Sequence, residues 1–353
     1  YNPTKIYFGR NCLDNLYEEL ASYGDTVLLI YGKGSVKKSG LYDKVLKILQ
    51  SAGKRIVELP GIKSNPTYAQ LTEGSRLVKE NNVNLILAVG GGSVIDCAKG
   101  ISVSAYCKGD PWQRYWINFD EVNNEIVPVG SILTMAGTGS EMNGGSVITN
   151  EAEMLKNGRV FPSNVNPKFS ILNPEFTFTV PKYQMVSGIF DTMSHLMEQY
   201  FSGNDDNTTD YVLEGIMRSL INSTAIALEN PQDYEARSNI MWCAAIGLNT
   251  ITGVSKEQDW EVHMIEHQLG AYTDCDHGQG LAVIHPVYYR HIVKDAPEKF
   301  ARLAKDVFGQ DTAEAGVAAL ESFIKECGLP TKLSRLKSTV EITPEVLRQV
   351  ADT

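Results

Sequence analysis

No apolar run in the 353-residue sequence approaches the roughly 18–20 residues that a membrane-spanning helix needs. The opening residues Tyr1-Asn2-Pro3-Thr4-Lys5 lack the basic-then-apolar pattern of a secretory signal. A cytoplasmic protein without membrane contact is the expectation. Basic clusters are also missing. Lys37-Lys38 is only a pair, and 32 Lys and Arg stand against 42 Asp and Glu, a formal charge of −10. This balance argues against a nucleic-acid partner and restricts any anion site to something small and local. No two of the six cysteines form a C-x-x-C, so neither a zinc ribbon nor a thioredoxin-like centre is indicated. Reduced thiols packed as small hydrophobes are expected. There is no internal repeat, and G-x-G-x-x-G does not occur.

The chain does contain two contrasting textures, in a length sufficient for two cores. In the first half, short β-rich runs alternate with helical stretches. Residues 25–31, 54–59 and 84–89 read as strands, a fourth lies within 126–135, and helices are expected over 41–52 and 68–80. That order implies a mainly parallel sheet flanked by helices, with ligands beyond the carboxyl ends of the strands. After Pro181 helical patterns dominate, over 183–201, 210–228, 234–252 and 260–269. Two prolines and a polar turn near 173–181 suggest the boundary. The expected division is an α/β domain over 1–178 and an all-α domain over 179–353.

Glycine loops fall at the expected strand ends. Gly90-Gly91-Gly92-Ser93 lies between a strand and a helix, where backbone N–H groups and a helix N-terminus suit a phosphate. Ser93 with Asp96 equally fits a helix-capping box. The segment Thr134-Met135-Ala136-Gly137-Thr138-Gly139-Ser140-Glu141 and the turn Gly32-Lys33-Gly34-Ser35 also follow strands. No Asp or Glu stands between Asp25 and Asp43 to meet a ribose 2′-hydroxyl. Ser35 and Lys38 are available there for a 2′-phosphate, which points to NADP(H) over NAD(H).

All six histidines lie in the second half. Asp191 and His195 form an i, i+4 pair, His263 and His267 form another, and His277 follows in a short loop. Oxygen and imidazole donors in apolar helices suit a divalent transition metal. His285 reads as a core histidine and Cys275 as a bystander. Trp242, Trp260, Met264 and Ile265 are compatible either with an apolar substrate pocket or with core.

These pieces, in this order, resemble the iron-dependent (group III) alcohol dehydrogenase family, closest to its branch of butanol dehydrogenases and NADPH-dependent aldehyde reductases. The resemblance runs from Pro3-Thr4-Lys5-Ile6-Tyr7-Phe8-Gly9 to about Pro330 and includes 31–38, 90–96, 134–141, Asp191 to His195, Met241-Trp242, 258–260 and His263 to Gly278. It implies a dehydroquinate synthase-like fold: a dinucleotide-binding α/β domain, a helical metal-binding domain and a site in the cleft between them. By the same resemblance, Asp191, His195, His263 and His277 bind one divalent metal, Fe2+ or alternatively Zn2+, while His267 lines the substrate site as a proton relay. Gly90 to Ser93 and Asp96 would meet the pyrophosphate, and Thr134, Thr138, Asn143 and Lys156 the nicotinamide and its ribose; Gly32, Gly34, Ser35 and Lys38 complete the cofactor set. The implied activity is reversible hydride transfer between NADP(H) and a small alcohol or aldehyde, in a homodimer. A lyase of the dehydroquinate synthase type would need a basic cluster beside the metal, and 191–195 and 258–279 hold no Lys or Arg. The glycine loops also argue against a non-haem iron oxygenase. A non-catalytic binding protein is the bland alternative.

Overall fold

The computed structural model describes residues 1–203 and 208–353. The chain divides into two compact units, one formed by Tyr1–Met135 and Ser140–Thr179, the other by Ala136–Gly139 and Val180–Thr353. The sequence carries no sign that 136–139 groups with the helical unit.

In the first unit, β1 (Lys5–Phe8), β2 (Thr26–Tyr31), β3 (Arg55–Pro60), β4 (Leu85–Gly90), β5 (Val129–Leu133) and β8 (Phe169–Leu172) make one parallel sheet, in the order β1-β8-β5-β4-β2-β3. Helices α1 (Leu16–Leu20), α2 (Ser35–Lys38), α3 (Leu41–Ser51), α4 (Tyr68–Asn81) and α5 (Gly92–Ser104) belong to the same unit. Every residue of β2, β4, β5 and β8 is buried. A parallel strand covered on both faces needs continuous apolar residues, which is why 26–31 and 85–90 do not alternate. Each fully buried Leu there, Leu28, Leu85 or Leu87, contributes roughly 1.5–3 kcal/mol. Helix α4 opens with a capping box in which Thr67 and Gln70 satisfy each other's backbone N–H groups. The remaining strands, β6 (Gly145–Asn150) and β7 (Leu155–Val160), form a separate antiparallel hairpin. Neither that hairpin nor the four-residue β1 and β8 is legible in the sequence pattern.

From β2 the chain steps out to β3 and then returns to β4 on the other side of β2. This is a topological switch point, where open parallel sheets bind their ligands. Tyr31 pairs with Val89 and Gly90 with Leu133, so β2, β4 and β5 end level. Their following loops, at 32–35, 91–93 and 134, emerge side by side.

The second unit contains α6 (Lys182–Phe201), α7 (Thr208–Glu229), α8 (Tyr234–Gly247), α9 (Glu261–Thr273), α10 (His277–Ile292), α11 (Pro297–Phe308), α12 (Ala313–Cys327) and α13 (Pro344–Asp352). One core joins Phe190, Tyr200, Leu213, Leu281, Phe300 and Leu320. Helix α8 stops five residues short of the sequence expectation. The Gly247 carbonyl accepts from the Gln199 side-chain amide at 2.8 Å and the Thr252 hydroxyl at 3.0 Å, and Thr250 takes a left-handed φ of 83°. Pro286 hides α10 from pattern reading, although the helix runs through it. Helix α6 is central, and all residues from Met185 to Tyr200 are buried. Its polar side chains therefore have to find partners inside the protein.

Candidate metal centre and nucleotide shelf

Asp191 and His195 lie one turn apart on α6, with His195 Nε2 3.4 Å from Asp191 Oδ1. His263, on α9, brings its Nε2 to 3.7 Å from the same oxygen. His277, the first residue of α10, brings its Nε2 to 3.4 Å. Three imidazoles from three helices thus meet at one buried carboxylate oxygen. Their close approach depends on glycine: a Cβ on Gly278 would lie 2.1 Å from the Ser187 carbonyl oxygen of α6, so only glycine lets the start of α10 sit there. The imidazoles of His195 and His263 stack at 4.8 Å, and Trp260 stands edge-on to both.

The donor set fits a cation. Asp191 Oδ1 and His263 Nε2 are buried without a hydrogen-bond partner, a costly arrangement unless something positive completes it. A tetrahedral ion with ligands at about 2.0–2.2 Å sets its ligand atoms roughly 3.3–3.6 Å apart, close to the three separations from Asp191 Oδ1; Asp191, His195 and His263 bring ligand atoms within 4.8 Å of one another, and His277 reaches that group through Asp191. Burial pulls the His195 imidazole down to about 3, against the pull of Asp191, and so keeps it neutral. For Asp191, burial acts upward, but the imidazoles of His195, His277 and His263 outweigh it and hold the carboxyl well below its usual range. Burial lowers His263 as well; there Glu198 and Asp191 outweigh it and push the ring up to about 9.

His267 is buried, with its ring centroid 5.6 Å from that of His277 and 6.2 Å from that of His263. It therefore borders the same cluster. His285 is fully buried, with Nε2 2.5 Å from Ser194 Oγ, as befits a core histidine. Cys275 is buried and does not join either group of potential ligands among the described residues. Of the four apolar candidates Trp260 stands against the cluster, while Trp242, Met264 and Ile265 are 42%, 48% and 44% exposed, which removes them from the core.

Two participants escaped the sequence reading. Glu198 Oε2 lies 3.1 Å from Nδ1 of His263, and its Oε1 accepts the His263 backbone N–H at 3.0 Å. Glu266 is hydrogen bonded to Nδ1 of His277. Each glutamate stands three residues after a histidine, His195 and His263 respectively. This repeated H-x-x-E spacing was the available signal, but each glutamate serves the histidine of a different element.

In the α/β unit the glycine-rich turns take the positions described above. Gly91 caps α5 and its missing Cβ leaves room for Met135, 3.2 Å from where it would stand. The capping-box alternative for Ser93 and Asp96 is not what forms. The cap is Gly91 with no side-chain bond; the Ser93 hydroxyl donates to the Ser64 carbonyl instead. Asp96 accepts from the Ser140 hydroxyl and, at 3.0 Å, from the Val147 N–H. That carboxylate therefore secures the hairpin to α5. Asn143 Oδ1 accepts from Gly145 N–H at 2.8 Å and from buried Lys99 at 3.2 Å, and Lys156 is buried on β7. Ser35 and Lys38 are exposed at the two ends of α2, and Thr134 donates its N–H to the Gly90 carbonyl at 2.9 Å. Thr138 belongs to the 136–139 segment of the helical unit. There, the Thr192 hydroxyl donates to the Gly137 carbonyl at 3.0 Å, and a Cβ on Gly137 would lie 3.4 Å from Asp191 Oδ2. A loop rich in glycine and hydroxyls thus reaches the metal-type cluster.

A switch-point sheet with glycine loops and a helical unit carrying a carboxylate–imidazole cluster set the class: a protein that pairs a nucleotide-binding type of sheet with a metal-type donor cluster. Comparison with known proteins narrows it. The family described as iron-containing alcohol dehydrogenase matches residues 3–174, and the Fe-containing alcohol dehydrogenase family, C-terminal, matches residues 185–353. NADH-dependent butanol dehydrogenase A of Clostridium acetobutylicum is 38% identical over 94% of this chain and 87% of its own. An NADPH-dependent aldehyde reductase of Escherichia coli is 35% identical over 100% and 92%. The crystal structure of NADH-dependent butanol dehydrogenase A from Thermotoga maritima superposes with a TM-score of 0.88 at 34% identity, over 100% of this chain and 97% of that one. The chain belongs to the iron-containing alcohol dehydrogenase family, in its butanol dehydrogenase and aldehyde reductase branch. Its activity is that of a metal-dependent, NAD(P)-linked alcohol dehydrogenase or aldehyde reductase.

Proposed function

We propose that Asp191, His195, His263 and His277 hold one divalent cation, Fe2+ in preference to Zn2+, and that the enzyme interconverts short aliphatic alcohols and aldehydes with NADP(H). The observation that carries this reading is the meeting of three imidazole Nε2 atoms at 3.4–3.7 Å around Asp191 Oδ1. When bound, the cation would supply Lewis acidity toward a substrate oxygen and the nicotinamide would supply the hydride chemistry.

The chain's own residues do the rest. Glycines 32, 34 and 90–92 with Ser93 let backbone N–H groups approach the cofactor phosphates, with Asp96 bracing the shelf. Ser35 and Lys38 receive a 2′-phosphate, and Thr134, Thr138, Asn143 and Lys156 surround the nicotinamide end. The reading of NADP(H) rests on the missing acid after β2; relatives named for NADH and for NADPH both exist. Trp260 provides an apolar wall beside His195 and His263, which favours a small aliphatic substrate. His267 passes the proton between the substrate oxygen and solvent. The carboxylates of Glu198 and Glu266 behind the imidazoles disfavour the phosphorylated acid that a dehydroquinate synthase-type reaction would need. We assign residues 1–178 to cofactor binding and 179–353 to the metal, and place the enzyme in the cytoplasm as a homodimer. Among the described residues no helix is long and apolar enough to cross a membrane.

The decisive experiment is elemental analysis of anaerobically purified protein, combined with an aldehyde assay run with NADPH and with NADH. One iron per chain and faster turnover with NADPH are expected. A metal-free, fully active enzyme would overturn the metal reading, and a strong NADH preference would overturn the role of Ser35 and Lys38. His267→Ala should retain the cation and alter the pH dependence of the rate; loss of the cation would instead make His267 a ligand.

A further inference from the structure

Glu266 stands on α9, one turn beyond His263, and is 0% exposed. Its carboxylate is hydrogen bonded to Nδ1 of His277, while Nε2 of the same ring points to Asp191 Oδ1 at 3.4 Å. An imidazole that donates from Nδ1 keeps its lone pair on Nε2. The carboxylate therefore fixes both the tautomer and the rotation of the ring.

His277 has more need of this than its neighbours. Its side chain is 25% exposed, against 7% for both His195 and His263. It begins a helix, whereas the other two lie within α6 and α9. The corresponding carboxylate, Glu198, is tied to His263 through the ring and the backbone alike.

The fold also reserves space for Glu266. A Cβ on Gly280, in the first turn of α10, would lie 2.8 Å from Glu266 Cγ and 3.0 Å from its Oε1. Glycine at that position lets α10 pass over the carboxylate without displacing it. Glu266, His267 and His277 also bring potential ligand atoms within 4.8 Å of one another. A second cation there would compete either with Glu266 for Nδ1 of His277 or with the Asp191 cluster for its Nε2. One cation with a carboxylate behind its most exposed imidazole is the simpler reading of the same atoms.

We propose that Glu266, seated by Gly280, is a positioning residue that orients His277 and governs how tightly the cation is retained; this rests on the four-ligand reading given above. The test loads metal-free protein with Co(II) and measures stoichiometry, the visible spectrum and the rate of release to a chelator. Wild type should take up one Co(II) per chain. Glu266→Ala should bind Co(II) about 10–100-fold more weakly, with faster release and an altered spectrum. Glu266→Gln, whose carbonyl still accepts from Nδ1, should fall between the two. Gly280→Ala, which leaves every charge in place, should shift the spectrum in the direction of Glu266→Ala, and it serves also where Glu266→Ala fails to fold. Wild-type affinity, spectrum and release in Glu266→Gln and Gly280→Ala would overturn the inference. Two Co(II) per wild-type chain falling to one in the Glu266 variants would overturn it in favour of a second cation. Asp191→Ala separates the premises: unchanged Co(II) binding in that variant would defeat the four-ligand reading itself.

Discussion

The two ends of the machinery are built from different materials. The nucleotide shelf proposed for the α/β unit consists mostly of backbone at three adjacent strand ends, with glycine supplying the closeness. The centre of the helical unit consists of side chains whose identity is the chemistry, arranged on three helices. A backbone site is tolerant, because many sequences present N–H groups from a turn. The proposed ligand site is not, because a donor atom in such a set cannot be replaced by a neighbour. Damage to the second should therefore be more severe and more specific than damage to the first.

The largest expected effect is at the ligand cluster. Asp191→Ala or His277→Ala should lose the cation and lower kcat/KM by roughly 10³-fold or more, checked by metal analysis with steady-state kinetics. Full activity in either would erase the contrast between the two units. Next comes a stability effect within the α/β unit. Burial holds the Glu141 carboxyl up to about 7, against an ordinary 4.5, with a backbone N–H and Lys99 opposing. The folded chain thus keeps a proton that the unfolded chain releases above pH 4.5. This stabilisation is complete below pH 4.5 and is lost as pH rises through 7. Glu141→Gln cannot ionise, so it should remove a decline on the order of 3 kcal/mol, read from denaturant midpoints at pH 4.5 and 8.

Two glycines sharpen the comparison further. Gly278→Ala forces a methyl against the Ser187 carbonyl and should cost about 1–3 kcal/mol of stability together with metal content, by thermal melting and elemental analysis. Gly91→Ala meets Met135 first, at 3.2 Å, and should raise the KM for NADPH while leaving the metal untouched. The smallest effect is at the exposed Lys38. Lys38→Ala should raise the KM for NADPH about 10-fold, the value of one charge-assisted contact, and leave that for NADH unchanged. An equal change for both cofactors would remove Lys38 from the 2′-phosphate.

Much of this was legible beforehand. The apolar runs read at 25–31 and 84–89 announced the buried parallel strands found at 26–31 and 85–90, and the i, i+4 spacing of Asp191 with His195 announced a shared helix face. The β1 and β8 strands were not, because four residues carry too little pattern. The hairpin at 145–160 and the helix through Pro286 lacked any clear period. Glu198 and Glu266 were visible only as helix residues, since nothing local says which distant ring a carboxylate will meet.

By itself, then, the sequence determined the residue types and their local periodicity: where strands and helices form, and that a carboxylate and imidazoles share apolar helices. Local dihedral preference and burial suffice for that, because they act over a few residues. Only the tertiary structure decided that Nε2 of His277 faces Asp191, that Glu266 holds its other nitrogen, and that residues 136–139 pack on α6. Those outcomes depend on how closely separate helices approach, and that distance is set by glycines at 137, 278 and 280 acting on partners far away in the chain.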